Sequence, residues 1–349
     1  MSVQAVLGPL SPKEEWEGNE SITELSNAAI NPRTSESPAV ANFADSLIVT
    51  YRGAGDTDLI FQSLYNNGTW SQDQAIKVSG GNIGTSAGPS LAVFKGTLYM
   101  AYRSSAKIDG EYPIMLATLP AGQTSYTAWQ GDKPISINSE NLATDHAPSL
   151  TVQGSGDSER LWLGWQKDSD LFTATFDGST WINNGQIKDV SSNGTPQSNY
   201  QPAICGYGSS VWVIFKGRHS DHLMWAAYNV VTKLWTGNLD IEDKRGIMDK
   251  PKSDRPPGIA VFEDSMYITY KGDSGDDYDI RQAMLTDQVW SGNKPIYDSS
   301  DISPTTDQPP SMATSAISTK GKPGTALIMV NKSTGDTDAG NQIYVSELM

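Results

Sequence analysis

A tryptophan recurs six times along this 349-residue chain at a nearly constant interval. Successive copies are 54, 59, 52, 54 and 55 residues apart; an isoleucine follows each after six residues, and a proline opens an apolar run about twenty residues on. The tryptophans are Trp16, Trp70, Trp129, Trp181, Trp235 and Trp290, and the prolines are Pro38, Pro89, Pro148, Pro202, Pro257 and Pro310. Because matched offsets require every unit to adopt the same supersecondary structure, this repeat constrains the fold more than any other feature.

Each repeat unit has the pattern of four short β-strands. In the second unit, residues 89–94 and 97–102 form two strand-like runs around the turn at Lys95-Gly96. Turns rich in glycine and asparagine, such as Asn67-Gly68, separate the later strands. No stretch shows sustained helical periodicity. The repeat therefore predicts an all-β fold, a six-bladed β-propeller with four antiparallel strands per blade.

The two ends of the chain share the sixth blade. After Trp290 the sequence supplies only three strands, whereas the tryptophan and isoleucine of a fourth strand lie at Trp16 and Ile22. We therefore expect the N-terminal strand to complete the last blade, because this closure removes exposed sheet edges. The prediction is a single domain over residues 1–349, with blades at about 37–85, 86–144, 145–197, 198–252, 253–306 and 307–349 plus 12–30.

Charge and cysteine content exclude several classes of partner and of chemistry. With 25 Lys and Arg against 40 Asp and Glu, the net charge is −15, which argues against nucleic acid and anionic membranes as partners. The single cysteine, Cys205, excludes an intrachain disulfide and a cysteine-based zinc site. No apolar run is long enough for membrane insertion, and the N-terminus lacks the pattern of a secretory leader. We expect a soluble protein, either cytoplasmic or exported without a classical signal peptide.

Propeller geometry places the loops between strands 2 and 3 and between strands 4 and 1 on one side of the ring, here called the loop face. Long polar residues end the second strands and adjoin acidic loops, so donors and acceptors would ring this face and hold sugar hydroxyls against neighbouring aromatic residues. The candidate ligand-binding residues are Arg52, Arg103, Gln166, Lys216, Lys271 and Asn331 at the strand ends, and Asp145, Asp254, Arg255 and Asp307 in the loops before the first strands.

All three histidines also fall on the loop face. His146 lies in the loop that enters blade 3, beside Asp145, and His219 and His222 lie in the loop between strands 2 and 3 of blade 4. Imidazole groups beside carboxylates suit ligand binding or proton transfer, so these histidines join the binding candidates. Their spacing on a loop defines no metal geometry, and no metal site is predicted.

Cofactor signals are weak. Residues 55–58 and 335–340 are similar to short calcium loops, but no complete EF-hand pattern is present, so calcium is the only cofactor that the sequence leaves open. Motifs of serine hydrolases, zincins and phosphate loops do not occur.

The short turns carry a family resemblance. Residues 67–70 and 177–181 resemble the end of the Asp-box turn of sialidases and other six-bladed propellers. Residues 178–187 are also similar to a repeat of six-bladed fungal and bacterial lectins, including the fucose-binding type. The resemblance extends over the chain at the level of the repeat, and it implies a sugar-binding propeller. Only two of the six strand ends carry arginine, so fucose specificity is not implied.

Three functions are compatible with these residues. The first hypothesis is a lectin that binds glycans on the loop face, because repeated shallow pockets need few polar groups and give avidity. The alternative is a glycoside hydrolase: a sialidase-like enzyme would need three arginines for the substrate carboxylate, for which Arg52, Arg103 and Arg255 lie on the right face, with a Tyr–Glu nucleophile pair and an acid. A generic glycosidase would need two suitably spaced carboxylates. A toxin-associated propeller that binds proteins is the third. The residues do not decide whether the chain is an enzyme, and they leave the catalytic residues and the oligomeric state unknown; the expected partners are glycans or glycoconjugates.

Overall fold

The computed structural model describes residues 16–188, 193–243, 248–273, 277–297, 303–322, 324–334 and 341–349. These residues form six four-stranded antiparallel sheets, and the first strand of each sheet contacts the first strands of the sheets on both sides. The first strands of blades 1 and 6 are also in contact, so the ring is closed. This arrangement confirms the predicted six-bladed β-propeller.

The blades follow chain order. Blade 1 contains β2 (Ala39–Phe43), β3 (Ser46–Arg52), β4 (Ile60–Asn66) and β5 (Thr69–Ala75); blade 2 contains β8 (Ser90–Phe94), β9 (Thr97–Arg103), β10 (Ile114–Leu119) and β11 (Gln130–Pro134); blade 3 contains β14 (Ser149–Gln153), β15 (Arg160–Lys167), β16 (Asp170–Phe176) and β17 (Trp181–Gln186). Blade 4 contains β18 (Ala203–Tyr207), β19 (Ser210–Lys216), β20 (Leu223–Asn229) and β21 (Leu234–Asp240); blade 5 contains β22 (Gly258–Phe262), β23 (Ser265–Lys271), β24 (Ile280–Thr286) and β25 (Val289–Pro295); blade 6 contains β26 (Ser311–Ser315), β27 (Ala326–Lys332), β28 (Ile343–Leu348) and β1 (Trp16–Ser21).

Among the described residues, few helices or strands lie outside the blades. Two small hairpins follow the fourth strands of blades 1 and 2, namely β6 (Lys77–Val78) with β7 (Gly81–Asn82) and β12 (Ser136–Ile137) with β13 (Glu140–Asn141). A single helical turn, α1 (Ile22–Leu25), follows β1, and a short 3₁₀ turn covers Gly156–Ser158. No helix in the described part of the chain has the length and apolar character needed to cross a bilayer.

The N-terminal strand completes the last blade, as the repeat predicts. β1 runs antiparallel to β28, with Trp16 opposite Leu348 at the end of the chain. Lys320, from the loop between the first two strands of blade 6, pairs with Glu20 in β1. The two chain ends are therefore joined by a strand ladder and by side-chain contacts, and blade 6 presents no unpaired outer strand at β28.

Four of the repeated tryptophans are buried between blades, and the other two are partly exposed. Trp129 of blade 2 donates through Nε1 to Gln62 Oε1 of blade 1 at 2.8 Å, and Trp16 of blade 6 donates to Gln282 Oε1 of blade 5 at 2.7 Å. The buried copies are Trp16, Trp70, Trp129 and Trp290, and the partly exposed copies are Trp181 and Trp235. The tryptophans thus join neighbouring blades rather than forming a ligand surface.

The first strands enclose a channel on the axis of the ring. Its cavity measures about 110 Å³ and is lined by residues of all six blades, including every one of the six repeated prolines. Because these prolines stand just before the first strands, the residues that precede them lie at the mouth of the channel on the loop face.

Candidate functional site

The segment before each first strand has one repeated local structure, which the sequence analysis did not identify. A threonine or serine stands four residues before each repeated proline and is buried in every blade. The Thr34 hydroxyl donates to the carbonyl of Glu36 at 2.8 Å and accepts from the Glu36 amide at 3.1 Å. Equivalent turns occur at Thr85, Thr144, Ser198, Ser253 and Thr306, although at Ser198 only the amide contact is made. Each turn fixes the residue two positions on at the channel mouth: Glu36, Ala87, His146, Tyr200, Arg255 and Gln308.

The strand-end residues lie beside these turns. The Thr85 hydroxyl donates to the Arg103 carbonyl at 2.8 Å, and the Thr144 hydroxyl donates to the Gln166 carbonyl at 3.0 Å. The loops before strand 1 and after strand 2 therefore meet on one face, as propeller geometry requires. Gln166 is only 3% exposed, and its buried Oε1 has no hydrogen-bond partner among the described residues.

Blade 6 departs from the predicted register by one residue. In blade 1 the strand-end residue Arg52 lies opposite Ile60, the first residue of the third strand. In blade 6 the residue opposite Ile343, the first residue of the third strand, is Lys332. Lys332 therefore holds the strand-end position. Asn331 is instead fully buried and donates to the carbonyl of Thr305 at 3.1 Å. The placement of Asn331 at the strand end is wrong because this blade has no aromatic residue to mark the preceding position.

The aromatic residues that precede the strand ends do not face a ligand. They are at most 4% exposed, and three of them donate from their hydroxyls into the fourth strand of their own blade. These residues are Tyr51, Tyr102, Trp165, Phe215 and Tyr270. The expectation that they flank sugar rings is therefore wrong, since the β-sheet packing buries them. Tyr112, Tyr200 and Tyr278, which lie in loops, supply partly exposed rings on the loop face instead.

Two lysines at strand ends are buried in ion pairs with the turn residues of their own blades. Lys332 Nζ lies 2.7 Å from both carboxylate oxygens of Asp307, and Lys271 Nζ lies 3.0 Å from Oδ2 of Asp254. The lysine side chains are 7% and 3% exposed, whereas the aspartates are 38% and 39% exposed. The ammonium groups thus support two carboxylates that remain accessible at the channel mouth.

Glu36 lies at the centre of the charged residues, and sequence reasoning missed it. Its carboxylate is 3.6 Å from Arg52 Nη1, and the charges of Arg255, Lys332 and Asp307 also act on it. Burial raises the pKa of Glu36 above its usual range, although the three cations oppose that shift. The signal that could have found it is the hydroxyl residue four positions before the repeated proline, because Glu36 stands two residues after it.

The three candidate arginines, Arg52, Arg103 and Arg255, lie around Glu36 but make different contacts. Arg52 donates to the Ser35 hydroxyl at 3.1 Å besides its ion pair, and Arg255 donates through Nε to the Asp307 carbonyl at 3.2 Å. Arg103 stacks on Tyr112, with its guanidinium carbon 3.9 Å from the ring centre. The three arginines are therefore near one another, yet each guanidinium is held by a different kind of contact.

Blade 3 and blade 4 contribute a second group of candidates. Asp145 accepts from the Asp168 amide at 2.8 Å, and the His146 ring lies 5.9 Å from the ring of Tyr200. Burial, followed by the charge of Arg103, lowers the pKa of His146. Lys216 donates to the carbonyl of Ser220 at 3.1 Å and lies over the same tyrosine ring.

The other two histidines do not join this group. His219 is exposed, and His222 places Nδ1 at 3.2 Å from Asp240, which also accepts from Lys250 at 2.7 Å. Asp240 ends the outermost strand of blade 4, so this cluster stands at the periphery of the ring. The structure thus brings His146 to the central residues and separates His219 and His222 from them.

The described residues contain no group of three or more His, Cys, Asp or Glu side chains placed to hold a metal ion. Of the two segments similar to calcium loops, residues 335–340 lie outside the described residues, and calcium binding stays a prediction.

The sequence matches no protein-family model and no curated protein. Solved structures do share the fold. The α-L-arabinofuranosidase Arb93A from Fusarium graminearum is similar, with a TM-score of 0.56 and 12% identity over 96% of this chain and 98% of that one. A Trypanosoma rangeli sialidase mutant displaying trans-sialidase activity has a TM-score of 0.54 and 13% identity over 98% of this chain, which spans 60% of the sialidase chain. At these identities the likeness shows the fold alone.

The lectin hypothesis is wrong as the first choice: the solved structures reported above are of an α-L-arabinofuranosidase and a sialidase, and neither is a lectin. The predicted lectin-type repeat and Asp-box turns gain no support from these structures, whereas the propeller itself does.

Proposed function

We propose that this protein is a glycoside hydrolase whose reaction takes place at the mouth of the axial channel, with Glu36 as proton donor and Asp307 as the second carboxylate. The observation that supports it is the contrast between two neighbouring acids. Burial favours the protonated form of Glu36, whereas Lys332 holds Asp307 through both oxygens. Cleavage of a glycosidic bond requires one protonated and one ionised carboxyl group.

Each residue has a defined part in the proposed reaction. Glu36 gives its proton to the glycosidic oxygen as the bond from that oxygen to the anomeric carbon breaks, and the Asp307 carboxylate stabilises the positive charge that develops on the sugar. A water molecule then supplies hydroxyl to the anomeric carbon, and the remaining proton of that water returns to Glu36, while Asp307 stays ionised. Net hydrolysis consumes one water and leaves both acids in their starting forms.

The direct test is turnover of a panel of fluorogenic and natural glycosides, including α-L-arabinofuranosides, sialosides and uronides. Asp307→Asn is expected to lower kcat by about 10²–10³-fold on every substrate of the panel, because it removes the charge that stabilises the transition state. Asp264→Asn, in an exposed turn on the opposite face, is the matched control. Full activity of the Asp307 variant, or no turnover of any glycoside by the natural protein, would contradict the proposal.

The proton donor predicts a pH dependence. Because deprotonated Glu36 cannot donate, kcat/KM should fall as pH rises through the pKa of Glu36, which lies above its usual range. Arg52 favours the ionised form of Glu36, so Arg52→Met should raise that pKa further and move the alkaline limb of the profile to higher pH. The pH profiles of kcat/KM for the natural protein and for Arg52→Met check this, with Arg160→Met on the opposite face as the control. An alkaline limb that stays in place or moves to lower pH in Arg52→Met would argue against Glu36 as the acid.

A further inference from the structure

The residues that end the second strands are cationic in five blades and uncharged in blade 3. The cationic residues are Arg52, Arg103, Lys216, Lys271 and Lys332, and the residue of blade 3 is Gln166. A side-chain amide both donates and accepts hydrogen bonds without carrying a charge, so it suits the hydroxyl groups of a neutral sugar. The blade-3 side of the channel mouth therefore differs in chemistry from the rest of the ring.

The side chain of Gln166 is directed toward blade 4. Successive side chains of a strand lie on opposite faces of the sheet. Along β15, Leu161, Leu163 and Trp165 pack with residues of blade 2, whereas Trp162 packs with residues of blade 4. Gln166 shares its face with Trp162, and its buried Oε1 has no hydrogen-bond partner among the described residues. A buried acceptor without a partner costs free energy, which a ligand hydroxyl bound at this position would recover.

Two rings stand on the same side of the channel mouth. The Asp145 amide donates to the Gln166 carbonyl at 3.0 Å, so the turn that carries His146 is fixed to the end of β15. The His146 ring lies 5.9 Å from the ring of Tyr200 on blade 4, and Lys216 Nζ lies 5.7 Å from the centre of the Tyr200 ring. Tyr200 is partly exposed and offers a flat apolar surface, on which a sugar ring can stack.

His146 adds a second polar group without charge. Burial and the charge of Arg103 lower the pKa of His146, although Asp145 and the backbone of Asn199 oppose that shift. The imidazole is therefore neutral at physiological pH, and a neutral imidazole, like an amide, offers hydrogen bonds without requiring an ion as its partner.

These residues lie across the channel mouth from the proposed acid pair. Glu36 belongs to blade 1 and Asp307 to blade 6, and in a closed ring of six the blades opposite them are blades 4 and 3. Arg103 of blade 2 connects the two sides, because its charge acts both on Glu36 and on His146. The leaving sugar lies beyond the proton donor Glu36 as seen from Asp307, which places it on the side of Arg103 and blade 3.

We infer that the substrate is an oligosaccharide whose leaving sugar is uncharged, and that Tyr200, His146 and Gln166 bind this leaving sugar. The inference rests on the proposed function, since it extends the same site by one sugar ring. Tyr200 stacks on the ring of the leaving sugar, Gln166 Oε1 accepts a hydrogen bond from one of its hydroxyl groups, and the neutral imidazole of His146 contacts a second hydroxyl.

Kinetics on pairs of substrates with the same reacting sugar tests the inference. One member of each pair is the arabinosyl, xylosyl or galactosyl fluoride, and the other carries a neutral second sugar in place of fluoride. Tyr200→Ala should lower kcat/KM for the two-sugar substrates by about 10- to 100-fold. It should leave the fluorides nearly unchanged, because fluoride is too small to reach Tyr200. Tyr200→Phe should retain the activity on both, since the ring is kept.

The matched controls are Tyr126→Ala and Gln123→Leu, in the loop between the third and fourth strands of blade 2 on the opposite face. Both should match the natural protein on every pair. Equal losses by Tyr200→Ala on fluorides and two-sugar substrates, or no loss on either, would overturn the inference while the proposed function stands.

Gln166→Leu separates binding from folding. Because the Oε1 of Gln166 has no partner in the free protein, its removal should not lower the free energy of unfolding in urea, whereas kcat/KM for two-sugar substrates should fall about 3- to 10-fold. A loss of stability without a selective loss on two-sugar substrates would assign Gln166 to the fold and contradict its part in binding.

A measurement without turnover distinguishes the two proposals. Saturation-transfer NMR with free arabinose, xylose and galactose should show binding that Tyr200→Ala abolishes and Tyr126→Ala retains. If this binding is found but no fluoride or oligosaccharide is hydrolysed, the proposed function fails and the sugar site at Tyr200 stands.

Discussion

Replacing Glu36 by glutamine is expected to lower kcat by about 10²–10⁴-fold for glycosides with poor leaving groups, the contribution typical of general acid catalysis. Glutamine keeps the shape of the side chain but has no acidic proton for the glycosidic oxygen. A nitrophenolate leaves without protonation, so the loss on nitrophenyl glycosides should be much smaller. Steady-state kinetics on a matched pair of such substrates measures the difference.

Glu263→Gln provides the control for this experiment, since Glu263 lies exposed in a turn on the opposite face. Its activity should equal that of the natural protein on both substrates. Equal losses by Glu36→Gln on good and poor leaving groups would show that Glu36 binds or positions the substrate without donating a proton. An unaffected kcat would exclude Glu36 from the reaction.

Trp16→Ala is expected to reduce the free energy of unfolding by about 3–5 kcal/mol, as is typical when a large buried aromatic is truncated. Trp16 is 2% exposed, packs between blades 5 and 6, and lies in the strand that closes the ring. Its loss removes apolar burial, the hydrogen bond to Gln282, and part of the contact that joins the chain ends. Urea unfolding followed by fluorescence and circular dichroism measures the change.

Trp181→Ala is the matched control, because Trp181 holds the same place in the repeat but is partly exposed and stacks on Phe176 at 5.1 Å. Its loss should cost clearly less than that of Trp16, since less surface returns to water. If both variants lowered the free energy of unfolding equally, neither the deeper burial of Trp16 nor its place in the ring-closing strand would contribute beyond the packing that all six tryptophans share.

The fold could be predicted because its determinants recur. Local strand patterns and the offset from tryptophan to proline appear six times. A strand whose position is ambiguous in one unit can therefore be located from the equivalent strands of the other units. The one misplaced strand end, Asn331, lies where the pattern fails, since Val330 rather than an aromatic ring precedes it. The sequence could not separate buried from exposed copies of the tryptophan either, because exposure depends on how closely neighbouring blades cover each position.

Of the candidate site, the sequence placed the charged residues on the loop face, where the structure also has them, but could not rank them. Arg52, Arg103, Asp254, Arg255 and Asp307 all lie around the channel mouth. The repeated turn could have placed Glu36 at the channel mouth, but its raised pKa comes from burial, opposed by the charges of Arg52, Arg255 and Lys332, which the local sequence does not show.

The sequence by itself determined the number of blades, the strand order and the closure of the ring by the N-terminal strand, because these follow from side-chain periodicity within about 55 residues. Only the tertiary structure decided which loop residues meet. Glu36 and Asp307 are 271 residues apart in the chain, yet the closed ring brings both to the channel mouth. Pairing, burial and charge at that point depend on distances between blades, and no local pattern in the sequence records those distances.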